Sequence, residues 1–128
     1  MRVKKLHGLG NHLTLDCFEC DKSKLNNKRI IKDFLERLTK RIKMKAISKA
    51  FVKEYKAKEK EESGITGFIL LAESHIAIHT YPNKGYAAVD IFSCKEFKIN
   101  EAIDFLKNVI GARTIKKCLI RRGYDEKS

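Results

Sequence analysis

Three polar residues, Glu73-Ser74-His75, interrupt an apolar stretch that runs Phe68-Ile-Leu-Leu-Ala before them and Ile76-Ala-Ile after them. Buried polar side chains destabilise a sheet unless they are hydrogen-bonded, so such an interruption marks either a reactive centre or a turn closing a strand at Ala72. The serine does not fit a hydrolase elbow. That motif needs glycines two residues to either side of the nucleophile, and Ala72 and Ile76 stand there. His75 and His79 have the spacing of helical zinc ligands, yet Ile76 follows His75 where the metalloprotease pattern has Glu. In a strand the two imidazoles would stand about 13 Å apart, too far to share an ion. The pair Cys17 and Cys20 forms a lone C-x-x-C with no second closely spaced pair to complete a zinc set. It reads as two small apolar residues at a strand end or as a redox pair, and no metal is expected. Neither a P-loop nor a dinucleotide-binding glycine motif is present.

These residues need a scaffold, and the hydrophobic patterning supplies one. Alternation around Leu13, Leu15 and Cys17 predicts a half-buried strand over 11–18. Spacings of three and four from Leu25 to Ile42 predict one amphipathic helix over 24–42, capped by Asp21 or Ser23. A strand is expected over 44–52, and the charged run 53–63 reads as an exposed strand extension or a loop. The 68–78 stretch reads as a central strand interrupted at the polar triplet. A turn at 81–85, a strand over 86–92, a helix over 99–110 ended by Gly111, and a strand over 113–121 follow. The polar tail after Gly123 is expected to fray. The elements make an α+β fold, a two-layer sandwich with one largely antiparallel sheet and two helices on one face.

The chain of 128 residues has the size of one domain, 1–128. Its net charge of +12 raises the possibility of a basic nucleic-acid-binding module. The cations are spread along the whole chain and no nucleic-acid motif accompanies them, so a solvated surface is the preferred reading and nucleic acid is not the expected partner. No apolar run is long enough to span a bilayer, and no signal-like segment follows the basic start; a cytoplasmic location with four free thiols is expected.

The segment LAESHIAIHTYPNKGYAAVDIFSC, from Leu71 to Cys94, closely resembles the core of the small prokaryotic S-adenosylmethionine decarboxylase proenzymes. The opening LGNHL, from Leu9 to Leu13, resembles that family's start, and the order of elements agrees along nearly the whole chain. Residues 53–62 match least. The resemblance implies self-cleavage between Glu73 and Ser74, giving chains 1–73 and 74–128, with Ser74 becoming a pyruvoyl group. It implies that this group forms a Schiff base with the substrate amine and acts as an electron sink for decarboxylation. His79 matches the family's processing residue, Cys94 its catalytic proton donor, and Thr66 a serine that assists cleavage. His75 is read as support for the cleavage turn.

A homodimer of processed units, with active sites near the interface, is implied too. Three positions depart from the family pattern. Asn83 stands where a substrate-gripping Glu is usual, Tyr81 where Trp is usual, and Lys60 where an adenine-stacking aromatic is expected. Phe51 and Tyr55 are the candidates for that aromatic. Asn83 keeps arginine open as an alternative substrate on the same scaffold.

Overall fold

The computed structural model describes residues 10–123. The polar tail after Gly123 and Leu9 of the opening motif lie outside these residues. Strand β1 (Gly10–Phe18) buries Leu13, Leu15 and Cys17 on alternate positions. Asp21 caps a short helix α1 (Lys22–Leu25), its carboxylate accepting from the backbone N–H groups of Ser23 and Lys24. The longer helix α2 (Lys28–Arg41) begins afresh, because the Asn27 side chain accepts the Ile30 N–H at 3.1 Å. The single helix expected over 24–42 is therefore two. Helix α2 buries Ile31, Phe34, Leu35 and Leu38, the stripe its spacing dictates.

The strand expected over 44–52 is likewise divided, into β2 (Lys45–Ala46) and β3 (Phe51–Tyr55). Between them the Ser48 hydroxyl accepts the Leu70 N–H at 3.0 Å, so a side chain replaces the backbone in the ladder and the chain bends away. The charged run that follows leaves β3 at Tyr55 and closes in a single 3-10 turn over Lys60–Glu62.

The largest difference from expectation concerns the apolar stretch around the polar triplet. It is not one interrupted strand. It is two antiparallel strands, β4 (Gly64–Ala72) and β5 (Ser74–Tyr81), joined so tightly that Leu71 pairs with Ser74. The strand does end at Ala72, but only Glu73 stands in the turn; Ser74 and His75 open β5, so the turn does not exclude a reactive centre. A second 3-10 turn over Pro82–Lys84, ended by Gly85, leads into β6 (Tyr86–Ser93). Helix α3 (Ile99–Ile110) has the bounds its periodicity predicts and ends on Gly111 in the left-handed conformation, φ +68°. Strand β7 (Thr114–Arg122) is the last element among the described residues.

The seven strands form one antiparallel sheet in the order β2-β4-β5-β6-β1-β7, with β3 beside β2 on the outer edge of β4. The helices cover one face. Phe34 and Phe105 stack there at 6.0 Å among Leu13, Ile69, Ile76 and Ile91, in a single hydrophobic core. Among the described residues no element covers the other face, where Thr66, Phe68 and Leu70 of β4 are exposed. The expected two-layer α+β sandwich is thus the observed architecture.

Candidate functional site

Ser74 occupies the first position after the β4–β5 turn and is part-buried. Its backbone has φ +142°, a conformation that an L-residue with a Cβ adopts only under strain, at a cost of order 1–3 kcal/mol. Non-glycine strain of this kind gathers at functional positions because surrounding structure must enforce it. Here the enforcement is the ladder on both sides: Ser74 is in register with Leu71 of β4 and with Ser93 of β6.

Cys94 follows β6 and touches the turn twice. Its thiol lies 3.5 Å from Ser74 Oγ, and its backbone N–H reaches the Glu73 carbonyl oxygen at 3.4 Å. The carbonyl of the Glu73–Ser74 peptide thus faces a hydrogen-bond donor while the adjoining hydroxyl faces a proton carrier. Cys94 is held in place by its neighbour. Ser93 is only 1 % exposed; its hydroxyl donates to the Lys95 carbonyl at 2.8 Å and accepts the Lys95 N–H at 3.0 Å, fixing the chain beyond the strand.

Thr66 and His79 form a second pair. They oppose each other across β4 and β5, and Thr66 Oγ1 lies 3.0 Å from His79 Nδ1. Both are exposed, on the sheet face away from the helices. The structure does not bring this pair to Ser74. His79 is five positions further along the same strand, about 16 Å at the rise of an extended chain. The polar residues therefore fall into two sets, Glu73–Ser74–Cys94 at the β4–β5 turn and Thr66–His79 on the open face toward the other end of the same strands.

A cavity of about 280 Å³ adjoins the second pair, lined by Tyr55, Glu62, Thr66, His79 and Tyr81 together with Gly64 and Thr80. Of the three residues read as substrate contacts, Tyr55 lines this cavity. Phe51 does not; its ring packs on Phe68 at 5.5 Å. Asn83 is not among the lining residues either, and its side-chain amide donates to the Lys60 carbonyl at 3.0 Å. Sequence reasoning passed over Glu62, because one acid in a run of mixed charges carries no local signal. His75 stands beside Phe92 on the open face, ring centroids 5.9 Å apart, and His12 packs edge-on against it at 6.3 Å.

The C-x-x-C pair is buried. Desolvation pushes Cys17 up to about 12 and Cys20 up to about 11, so both are neutral thiols packed as small hydrophobic groups. Among the described residues no cluster of three or more potential metal ligands occurs, and no helix is long and apolar enough to cross a membrane.

Comparison with known proteins bears on the chain's family and fold. The family model described as S-adenosylmethionine decarboxylase matches residues 11–123. The S-adenosylmethionine decarboxylase proenzyme of Clostridium kluyveri is 35% identical over 123 residues, 94% of this chain and 92% of the relative. That of Symbiobacterium thermophilum is 33% identical over 116 residues, 89% of this chain and 83% of the relative. The crystal structure of the adenosylmethionine decarboxylase from Aquifex aeolicus superposes with a TM-score of 0.79 at 31% identity and covers 98% of both chains. With the match spanning both polar sets and the strands that carry them, the chain belongs to the S-adenosylmethionine decarboxylase family.

Proposed function

We propose that this chain is a proenzyme that cuts itself between Glu73 and Ser74, converts Ser74 to a pyruvoyl group, and decarboxylates S-adenosylmethionine, giving the aminopropyl donor of polyamine synthesis. The observation that carries the reading is the contact of Cys94 with both halves of one strained peptide: its N–H on the Glu73 carbonyl and its thiol on the Ser74 hydroxyl.

That arrangement suits self-cleavage. Ser74 Oγ attacks the Glu73 carbonyl carbon, and the Cys94 N–H stabilises the oxyanion that develops. The C–N bond then breaks, the amine nitrogen takes up the hydroxyl proton, and an ester joins the two residues. Loss of the Ser74 Cα proton expels the Glu73 carboxylate and leaves a dehydroalanine. Water adds to it, ammonia leaves, and residue 74 ends as a ketone at the head of the second fragment. Cleavage also releases the strain at φ +142°, which favours the forward direction.

The site fits such a group, since a carbonyl formed from Ser74 would stand beside a part-buried thiol rather than in open solvent. When formed, the pyruvoyl group supplies an electron sink for the bond pair left by departing carbon dioxide. Cys94 is suited to return a proton to the substrate carbon, as a weakly hydrated acid within reach of residue 74. The imidazole of His79 from a second copy, oriented by that copy's Thr66, suits proton removal at the Ser74 Cα during processing.

The separation of the two sets supports a homodimer. A twofold axis that lays the open face of one copy, with its Thr66 and His79, against the β4–β5 turn end of the other would bring that pair to Ser74 and Cys94, completing two equivalent sites. The exposed Phe51, Phe68 and Leu70 on that face supply apolar surface for the contact. The free thiols suit a reducing, cytoplasmic setting.

Release of labelled carbon dioxide from S-adenosylmethionine and from arginine tests the reaction. Turnover of S-adenosylmethionine alone is expected; release from arginine alone would replace the substrate and keep the chemistry.

A further inference from the structure

We infer that Ser93 is a positioning residue for turnover: once the Glu73–Ser74 bond is cut, its buried hydroxyl is what keeps the Cys94 thiol aimed at residue 74. This rests on Cys94 being the proton donor of the proposed reaction.

Cys94 stands just beyond the end of β6, outside the ladder that fixes the residues before it. In the uncut chain it has a tie of its own, the N–H that reaches the Glu73 carbonyl at 3.4 Å. That tie belongs to the bond that breaks. Cleavage makes the Glu73 carbonyl part of a free chain end, no longer joined to Ser74, and free ends are held only by what else grips them. The anchor therefore loosens just before the thiol is needed for turnover.

Ser93 is held from the other side. It pairs with Asn11 on β1, across β6 from the cut. Its hydroxyl accepts the Lys95 N–H at 3.0 Å and donates to the Lys95 carbonyl at 2.8 Å, so one side chain spans to the residue beyond Cys94. Both neighbours of Cys94 are thus fixed to a single strand residue. At 1 % exposure, water does not compete for that hydroxyl. Met44 Sδ also lies 3.3 Å from the hydroxyl oxygen. A thioether is a weak acceptor beside a carbonyl, so the one hydroxyl hydrogen goes to Lys95 and Met44 fills the space behind it.

Ser93→Ala removes the hydroxyl with little change of volume. Its fragments are followed on gels, and kcat and KM for S-adenosylmethionine are expressed per cleaved chain. Self-cleavage is expected to slow by no more than about threefold, because the uncut turn still meets the Cys94 N–H. The kcat is expected to fall by about 10- to 100-fold with KM within about twofold, since a reacting group is misplaced and substrate binding is not. In the Cys94→Ala background the same substitution is expected to change kcat by less than about twofold, because a residue that acts only through the thiol has nothing left to aim. Met44→Leu, which keeps the packing and drops the sulfur, is expected to stay within about twofold of native in both steps.

A native kcat in Ser93→Ala overturns the inference. So does an equal slowing of cleavage and turnover, or a further tenfold loss in the Cys94→Ala background. A Ser93→Ala chain that circular dichroism shows to be unfolded, or an equal loss in Met44→Leu, overturns it too, by making the contact a structural one. Full activity in Cys94→Ala is a different result: it removes the proton donor itself, whereas a native Ser93→Ala beside an inactive Cys94→Ala removes only the bracket.

Discussion

Thr66 and His79 sit opposite each other on β4 and β5 with 3.0 Å between hydroxyl and imidazole, while Ser74 begins the strand that His79 is on. One strand thus carries a cleavage residue and a proton carrier that do not meet within the chain. That separation has a direct genetic consequence. Co-expression of Ser74→Ala with His79→Ala is expected to restore activity that neither has alone. In a mixed dimer one site collects both defects and the other collects none. With random pairing, about a quarter of native activity should return. Complete inactivity of the purified mixed dimer would place all four residues in one chain's site and contradict the twofold arrangement.

Cys94 should separate cleavage from turnover. Its backbone N–H faces the Glu73 carbonyl whatever the side chain. Cys94→Ala is therefore expected to keep appreciable self-cleavage and to lower kcat by about 10²–10⁴ through loss of the proton donor. Gel analysis of the two fragments and initial rates of carbon dioxide release check both halves. Full activity in the variant would remove Cys94 from the chemistry.

Gly10 secures the far side of the same loop. It has φ +139°, and a Cβ there would stand 1.7 Å from the Ser93 carbonyl oxygen. Backbone cannot move aside as a flexible side chain can. Gly10→Ala is expected to destabilise by about 3 kcal/mol or more, and to slow self-cleavage by shifting Ser93 and Cys94. Urea denaturation and the time course of fragment appearance measure the two effects.

The buried thiols give a pH signature. Burial raises Cys17 from 9.0 to about 12 and Cys20 from 9.0 to about 11. The folded state therefore holds protons that the unfolded chain releases. The stabilisation is complete below about pH 9 and is lost as pH climbs from 9 toward 12, by up to about 1.4 kcal/mol per unit for each thiol. Cys17→Ala should lower stability at pH 7 by leaving a small cavity, yet flatten the decline above pH 9. In the native protein at neutral pH, iodoacetamide should label the exposed Cys118 well before either buried thiol.

Much of this was legible in the residues. Helix α3 announced both its ends, through the Ile99–Ile110 stripe and the glycine after it. The alternation in β1 and β6 fixed which residues enter the core. The elements that misled are those where a side chain competes with the backbone. Asn27 starts a new helix inside a continuous apolar stripe, and Ser48 takes a ladder bond and splits a strand. The β4–β5 hairpin was hidden for a different reason: both strands are apolar and their turn lacks glycine, so periodicity alone could not distinguish one long strand from two. Ser74 and Cys94 stood out through the resemblance, whereas Glu62 depends on tertiary tethers from Asn83 and Lys84 that no local pattern encodes.

The mass of the purified protein tests the central claim most directly. Two fragments are expected, 1–73 with a free carboxyl end and 74–128 with a blocked, pyruvoyl-bearing start, while Ser74→Ala should remain a single chain of 14.8 kDa. A native protein that stays as one intact chain of 128 residues would contradict the account.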